Sequence, residues 1–159
     1  MVSIEDEEAV MFEYSSVGTS FSIDDVKKAA AFYHDQLGIE ADRLEVDRDD
    51  GGVLILHPVD GNDILVYPKP DHIPATYTIL NFVVADIDKA VDSLGEAGVR
   101  FLRYDDYGTD EKGIVRGPDR EIAWFTDPAG NIHSVVEFKT ATPFLEEAWI
   151  TEEALPGSG

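Results

Sequence analysis

Few residues of this chain are of types that do covalent or metal chemistry, and those few are scattered. Its 159 residues include no cysteine, which removes thiolate nucleophiles, thiolate zinc sites and disulfides together. Four histidines stand at 34, 57, 72 and 133, spread over the chain and unpaired. There is no His-Glu-x-x-His, no Gly-x-Ser-x-Gly and no glycine-rich phosphate loop. The acidic run Asp47-Arg-Asp-Asp-Gly-Gly52 has the charge of a calcium loop. Its glycine falls at the fifth position and Pro58 at the twelfth, so it fails that geometry and reads as a solvated turn. What is left for function is a set of aromatic, hydroxyl and amide side chains, which implies recognition rather than covalent catalysis.

Their placement follows from an internal repeat. Phe21-Ser-Ile-Asp-Asp-Val-Lys-Lys-Ala29 aligns with Phe82-Val-Val-Ala-Asp-Ile-Asp-Lys-Ala90, an offset of 61. Apolar positions 26, 29, 30, 33 and 37 recur at 87, 90, 91, 94 and 98, the spacing of an amphipathic helix with one buried face. Asp24 or Asp25 is placed to cap the first helix and Asp86 the second. Gly38 and Gly98 are placed to end them. A strand is expected before each helix, over 14–23 and 77–84. Three more are expected after each: 43–47, 53–57 and 63–67 in the first half, then 100–103, 121–126 and 132–138. Gly61 and Gly130 mark equivalent turns offset by 69, so the second half carries about eight extra residues. The polar stretch 105–118 is the simplest place for them.

Each half therefore reads βαβββ. The expected fold is α+β, with two such repeats (about 14–68 and 76–138) forming one curved, mixed, eight-stranded sheet around a cleft, helices outside. A single domain covers 1–139. A tail, 140–159, carries Phe144, Leu145, Trp149 and Ile150 for docking and ends in a flexible Leu-Pro-Gly-Ser-Gly.

Charge and hydropathy narrow the partners. Acidic residues number 33 against 12 Lys plus Arg, for a formal net charge of −21. Such a surface repels phosphate backbones and anionic lipids, so no nucleic acid and no membrane is expected as partner. It fits solubility or a high-salt cytoplasm, and it favours cationic or neutral small ligands. With 43% hydrophobic residues the chain has the means to fold. It has no apolar run of membrane-spanning length and no signal-peptide pattern at its start, which points to a cytoplasmic protein.

Three motifs carry a family resemblance: Asp25-x6-Phe32-Tyr33-x3-Leu37-Gly38, Phe82-x-Val84-x-Asp86-Ile87-Asp88, and Phe125-x-Asp127-Pro128-x-Gly130-Asn131. In this order, and with the repeat, the chain resembles the vicinal oxygen chelate superfamily of glyoxalase I, extradiol dioxygenases and bleomycin resistance proteins. The resemblance implies a cleft whose metal enzymes place His, Glu or Gln ligands on four strands. Transferred by motif and offset, those four positions are Gly18, Leu65, Ile79 and Ser134 here. Three cannot ligate by side chain, so no metal and no cofactor is expected.

Strand alternation gives the cleft-facing residues. Ser20 (with Ser16 and Ser22), Leu65, Tyr67, Tyr77, Ile79, Asn81, Trp124 and Ser134 are candidate ligand-binding positions. His57 is included with its parity open, and His133 is expected to point away from the cleft. Tyr104, Tyr107 and Arg103 flank a loop placed to act as a lid. The reading favoured is a metal-free protein that binds a planar or cationic small molecule, as a homodimer. The alternatives are a small-metabolite enzyme of the same superfamily (lyase, isomerase or dioxygenase-like), with no catalytic residues assigned, and a non-catalytic dimeric structural or regulatory protein.

Overall fold

A computed structural model describes residues 12–45 and 51–140. The docking tail, the terminal Leu-Pro-Gly-Ser-Gly and residues 47–50 of the acidic turn lie outside the described residues. Eight strands and two helices follow in the order expected. These are β1 (Thr19–Ile23), α1 (Val26–Ala30), β2 (Glu40–Leu44), β3 (Val53–His57), β4 (Ile64–Pro68), β5 (Thr78–Val83), α2 (Ile87–Glu96), β6 (Ile114–Arg116), β7 (Arg120–Thr126) and β8 (Ile132–Phe138). The fold is α+β and has two repeats. Hydrogen bonding divides the strands into two four-stranded mixed sheets, β1-β4-β3-β2 and β5-β8-β7-β6. In each, the first strand runs parallel to the fourth. No helix among the described residues is long and apolar enough to cross a membrane.

The helix ends obey the local chemistry of the sequence. The Asp25 carboxylate accepts from the amides of Lys27 and Lys28, and that of Asp86 from Lys89. Gly38 and Gly98 sit at φ of +74° and +93°, where a side chain would be strained. The first helix departs from regular spacing. After Ala30 it widens into a π-helical turn, Ala31–Gln36, with Leu37 N–H reaching back to the Phe32 carbonyl. The wider turn lets neighbouring Phe32 and Tyr33 both enter the core, at 4% and 0% exposure.

β1 spans only Thr19–Ile23, where a strand over 14–23 was expected, and the sheets depart from expectation in three further places. β2 lies earlier, at Glu40–Leu44 rather than from Arg43. Residues 100–103 do not form a strand. Phe101 makes one bridge to Phe125, and Leu102 N–H donates to the Trp124 carbonyl. The chain then leaves the sheet edge and returns at Ile114, opposite Ala123. The insertion thus splits an edge strand in two, and β6 lies inside the stretch expected to be loop. The excursion is tied down. Arg103 donates to the carbonyls of Asp110 and Glu111, and the Asp110 carboxylate accepts from the Lys112 and Ile114 amides. Arg116 bridges Asp88, Asp110 and Glu121. With Lys112 it holds the Asp88 carboxyl below the usual carboxylate range.

The third departure is a bulge in β5. Thr78 lies opposite Ile132 but Leu80 opposite His133, so Ile79 is an extra residue.

The helix-facing sides of both sheets share one core, from Phe21, Ile23, Leu54 and Val66 to Ile87, Ile114, Phe125 and Val135. The turn before β8 joins the halves. Asp127 accepts from the Ala129 and Asn131 amides, the Asn131 side chain and the Tyr33 hydroxyl. Asn131 donates to the Ser22 carbonyl and accepts from Ala75 N–H. Gly130 has φ of +87°, and a Cβ there would lie 2.9 Å from the Pro74 ring.

Candidate functional site

The faces turned away from this core carry two matched rows. In the first sheet Ser20, Leu65, Ile55 and Asp42 lie opposite one another in succession across β1, β4, β3 and β2. In the second, Asn81, Ser134 and Trp124 do the same across β5, β8 and β7. The repeat offsets make Ser20 equivalent to Asn81, and Leu65 to Ser134. The strand partners of Leu65 and Ser134 are thus Ser20 and Asn81, two residues along from Gly18 and Ile79.

Neither the set Gly18, Leu65, Ile79 and Ser134 nor the set Ser20, Leu65, Asn81 and Ser134 offers an imidazole or a carboxylate. Hard divalent ions need such donors, so these positions do not fit the superfamily's metal. Among the described residues no group of three or more His, Asp or Glu is placed to hold one elsewhere.

A groove of about 770 Å³ opens between the start of β1 and the edge of β5. Val17, Gly18 and Thr19 form one wall, and Ile79 to Val83 the other. The turn Pro58, Val59, Asp60, Asn62 and Asp63 forms the rim. Apolar bulk with a few polar groups is how small-molecule sites are built. Asn62 fixes the rim by donating to the Val17 carbonyl at 2.6 Å. On the opposite wall, Ser134 Oγ donates to Asn81 Oδ1 at 2.7 Å.

The candidate residues distribute unevenly around this groove. Gly18, Ile79 and Asn81 line it directly, and Ser134 backs Asn81. Ser20, Leu65 and Tyr67 follow along the first sheet, outside its lining. Tyr77 also lies outside, 70% exposed. The bulge at Ile79 interrupts the alternation on which its inward position rested. Trp124 continues the Asn81–Ser134 row away from the groove. It packs edge-on against Tyr104 at 5.1 Å and meets Tyr107 at 5.9 Å, so the excursion contributes a three-ring cluster. The rim residues Pro58, Val59, Asp60 and Asn62 were missing from the sequence-based set. Asp60-Gly61-Asn62 was legible only as a turn, with nothing to show that it overhangs a groove.

The strand parity of His57 is settled. Leu54 and Leu56 are buried and His57 alternates with them, so it faces the same way as Ile55. Its Nδ1 lies 2.9 Å from Asp63 and its Nε2 2.8 Å from Asp42. Two acceptor-only partners require both ring nitrogens to carry protons. The carboxylates of Asp63 and Asp42 accordingly raise its pKa above the ordinary value. With both nitrogens engaged, this imidazole has no lone pair to offer a substrate.

His133 is the opposite case. It lies on the core side, 0% exposed. Leu80 N–H donates to its Nδ1 at 3.2 Å, which places the proton on Nε2. Nε2 meets the Tyr33 hydroxyl at 2.6 Å, and that hydroxyl donates to Asp127 at 2.6 Å. Burial pushes the His133 pKa down to about 4, and burial beside Asp127 pushes that of Tyr33 up.

Comparison with known proteins agrees with this architecture. The family model of the Glyoxalase/Bleomycin resistance protein/Dioxygenase superfamily matches residues 18–134. The chain belongs to that superfamily. A superfamily member from Sphaerobacter thermophilus is 25% identical, with a TM-score of 0.59 over 77% of this chain and 98% of its own. TnmS3, an antibiotic-binding protein from Streptomyces sp. CB03234, is 21% identical, with a TM-score of 0.58 over 80% of this chain and 100% of its own. A glyoxalase/bleomycin resistance protein from the same Streptomyces is 22% identical, with a TM-score of 0.53 over 79% and 100%. No curated protein matches the chain.

Proposed function

We propose that this protein is a metal-free, non-covalent binder of a small molecule held in the groove between its two halves. The observation that carries the reading is the groove itself. It is walled by Ile79, Val83, Val17 and Gly18 and supplied with the Asn81 amide, which the Ser134 hydroxyl backs; Gly18, Ile79 and Ser134 are positions to which the superfamily resemblance carries metal ligands. The likeness to an antibiotic-binding protein favours binding over turnover. So does the engagement of both His57 nitrogens, which leaves that imidazole no lone pair with which to act as a general base.

Two measurements test the reading together. Metal analysis of purified protein should find no stoichiometric divalent ion. Near-stoichiometric metal that is lost on substituting His57 would defeat the reading. Equilibrium dialysis against a panel of planar neutral and cationic molecules should find members that bind and that shift the backbone amides of Gly18 and Ile79 to Val83, which line the groove. No binding across the whole panel, or binding that leaves those amides unmoved, would count against the pocket.

A further inference from the structure

We infer that the groove takes its ligand through a hydrogen-bond acceptor, a carbonyl oxygen or a ring nitrogen, received by the side-chain amide of Asn81, and that Ser134 is the positioning residue that aims this amide. The inference rests on the small-molecule reading above and names the chemistry of the ligand.

The direction of the Asn81 amide is fixed from behind. Ser134 is 0% exposed, and its hydroxyl proton needs an acceptor. Asn81 Oδ1 supplies it at 2.7 Å. Turning the amide over would leave that buried hydroxyl proton without a described acceptor, a loss of about 1–3 kcal/mol for a buried polar group. With Oδ1 committed, the two Nδ2 protons have no acceptor among the described residues, and Asn81 lines the groove. A side-chain amide has two donors and one oxygen, so the groove is presented with donors.

Two of the neighbouring polar groups are engaged elsewhere. The Asn62 amide is committed to the Val17 carbonyl, and Asp63 to His57. Asp60 and Asp63 make the rim negative. That disfavours an anionic acceptor and leaves a neutral one. Ile79 and Val83 flank the amide and suit the apolar body that carries the acceptor.

Quinoline and naphthalene form a matched probe pair: the same two fused rings, with and without a ring-nitrogen acceptor. Equilibrium dialysis gives the bound-to-free ratio of each at low occupancy. The expected preference of the native protein for quinoline is roughly five- to tenfold, the value of one net hydrogen bond. Asn81→Leu should abolish the preference and keep naphthalene binding. Ser134→Ala should reduce the preference, and Ser134→Thr, which keeps a hydroxyl, should restore it. Loss of packing alone would not produce that rescue. Equal binding of the two probes to the native protein, or a preference that survives Asn81→Leu, overturns the inference while leaving the binding reading in place. If Asn81→Leu does not fold, the Ser134→Ala and Ser134→Thr pair decides. Absence of binding by either probe defeats the small-molecule reading along with it.

Discussion

Two histidines in this chain each sit within hydrogen-bond reach of a carboxylate or of its direct partner, and they behave in opposite ways. His57 lies on an open sheet face between Asp42 and Asp63, where both nitrogens meet acceptors and the charged form is favoured. His133 lies sealed in the core, where Leu80 N–H occupies one nitrogen and the Tyr33 hydroxyl the other. Protonating its Nδ1 would set two N–H groups against each other in a dry environment, so the neutral form is favoured. The environment and the donor count of the neighbours decide the outcome. The open histidine fixes the rim of the groove through Asp63. The sealed one locks the first helix to the second sheet. Neither is placed as a metal ligand.

The largest expected effect is at the lock. Asp127→Ala removes the acceptor of four buried donors and should destabilise the fold by roughly 3–5 kcal/mol, measured by urea unfolding. A loss under about 1 kcal/mol would show that the halves are held by the apolar core alone.

Next is the pH dependence of stability. A histidine's unfolded pKa is near 6.5, and folding lowers that of His133 to about 4. Below pH 6.5 the unfolded chain therefore binds a proton that the folded chain refuses. Stability should fall between pH 6.5 and 4 by roughly 3 kcal/mol, at 1.36 kcal/mol per unit. The paired carboxylates with lowered pKa, such as Asp88 and Glu137, add their loss as the pH falls further, toward and through their depressed folded values. A flat urea midpoint across pH 6.5 to 4 would contradict the buried neutral imidazole.

Tyr33→Phe should cost about 1–3 kcal/mol, because it leaves His133 Nε2–H without its partner and takes one donor from Asp127. The smallest effect belongs to His57. Its NMR titration midpoint should lie above the ordinary histidine value and fall on Asp63→Asn, with little change in the unfolding midpoint. Its pairing contributes to stability below pH 6.5 and is lost as pH rises through the folded pKa. A His57 midpoint at or below the ordinary value would erase the contrast between the two sites.

Much of the frame was legible because it is written in short-range patterns. The capping by Asp25 and Asp86, the glycine stops at 38 and 98, the strands at 53–57 and 132–138 and the turn of His133 away from the cleft face all follow from periodicity and turn chemistry. What escaped is set by longer-range or irregular structure. The π-helical turn after Ala30 and the bulge at Ile79 each add one residue to a regular period, and no local residue type announces either. The split edge strand was hidden because Ile114–Arg116 is too short to stand out from its polar surroundings. The Tyr33–Asp127–His133 chain joins residues 94 and 100 positions apart. Of the site, the strand positions of Asn81 and Ser134 were legible. Their hydrogen bond and the overhanging Pro58–Asn62 rim were not, because they depend on how two halves meet.

The most direct test of metal-independent binding in the groove is a set of amide correlation spectra recorded with EDTA present, with and without quinoline. The Asn81 side-chain amide and the backbone amides of Gly18, Thr19 and Ile79 to Val83 should shift together, while the Tyr33, Asp127 and His133 signals hold still. Unmoved groove signals, or shifts that arise only when a divalent metal is supplied, would contradict it.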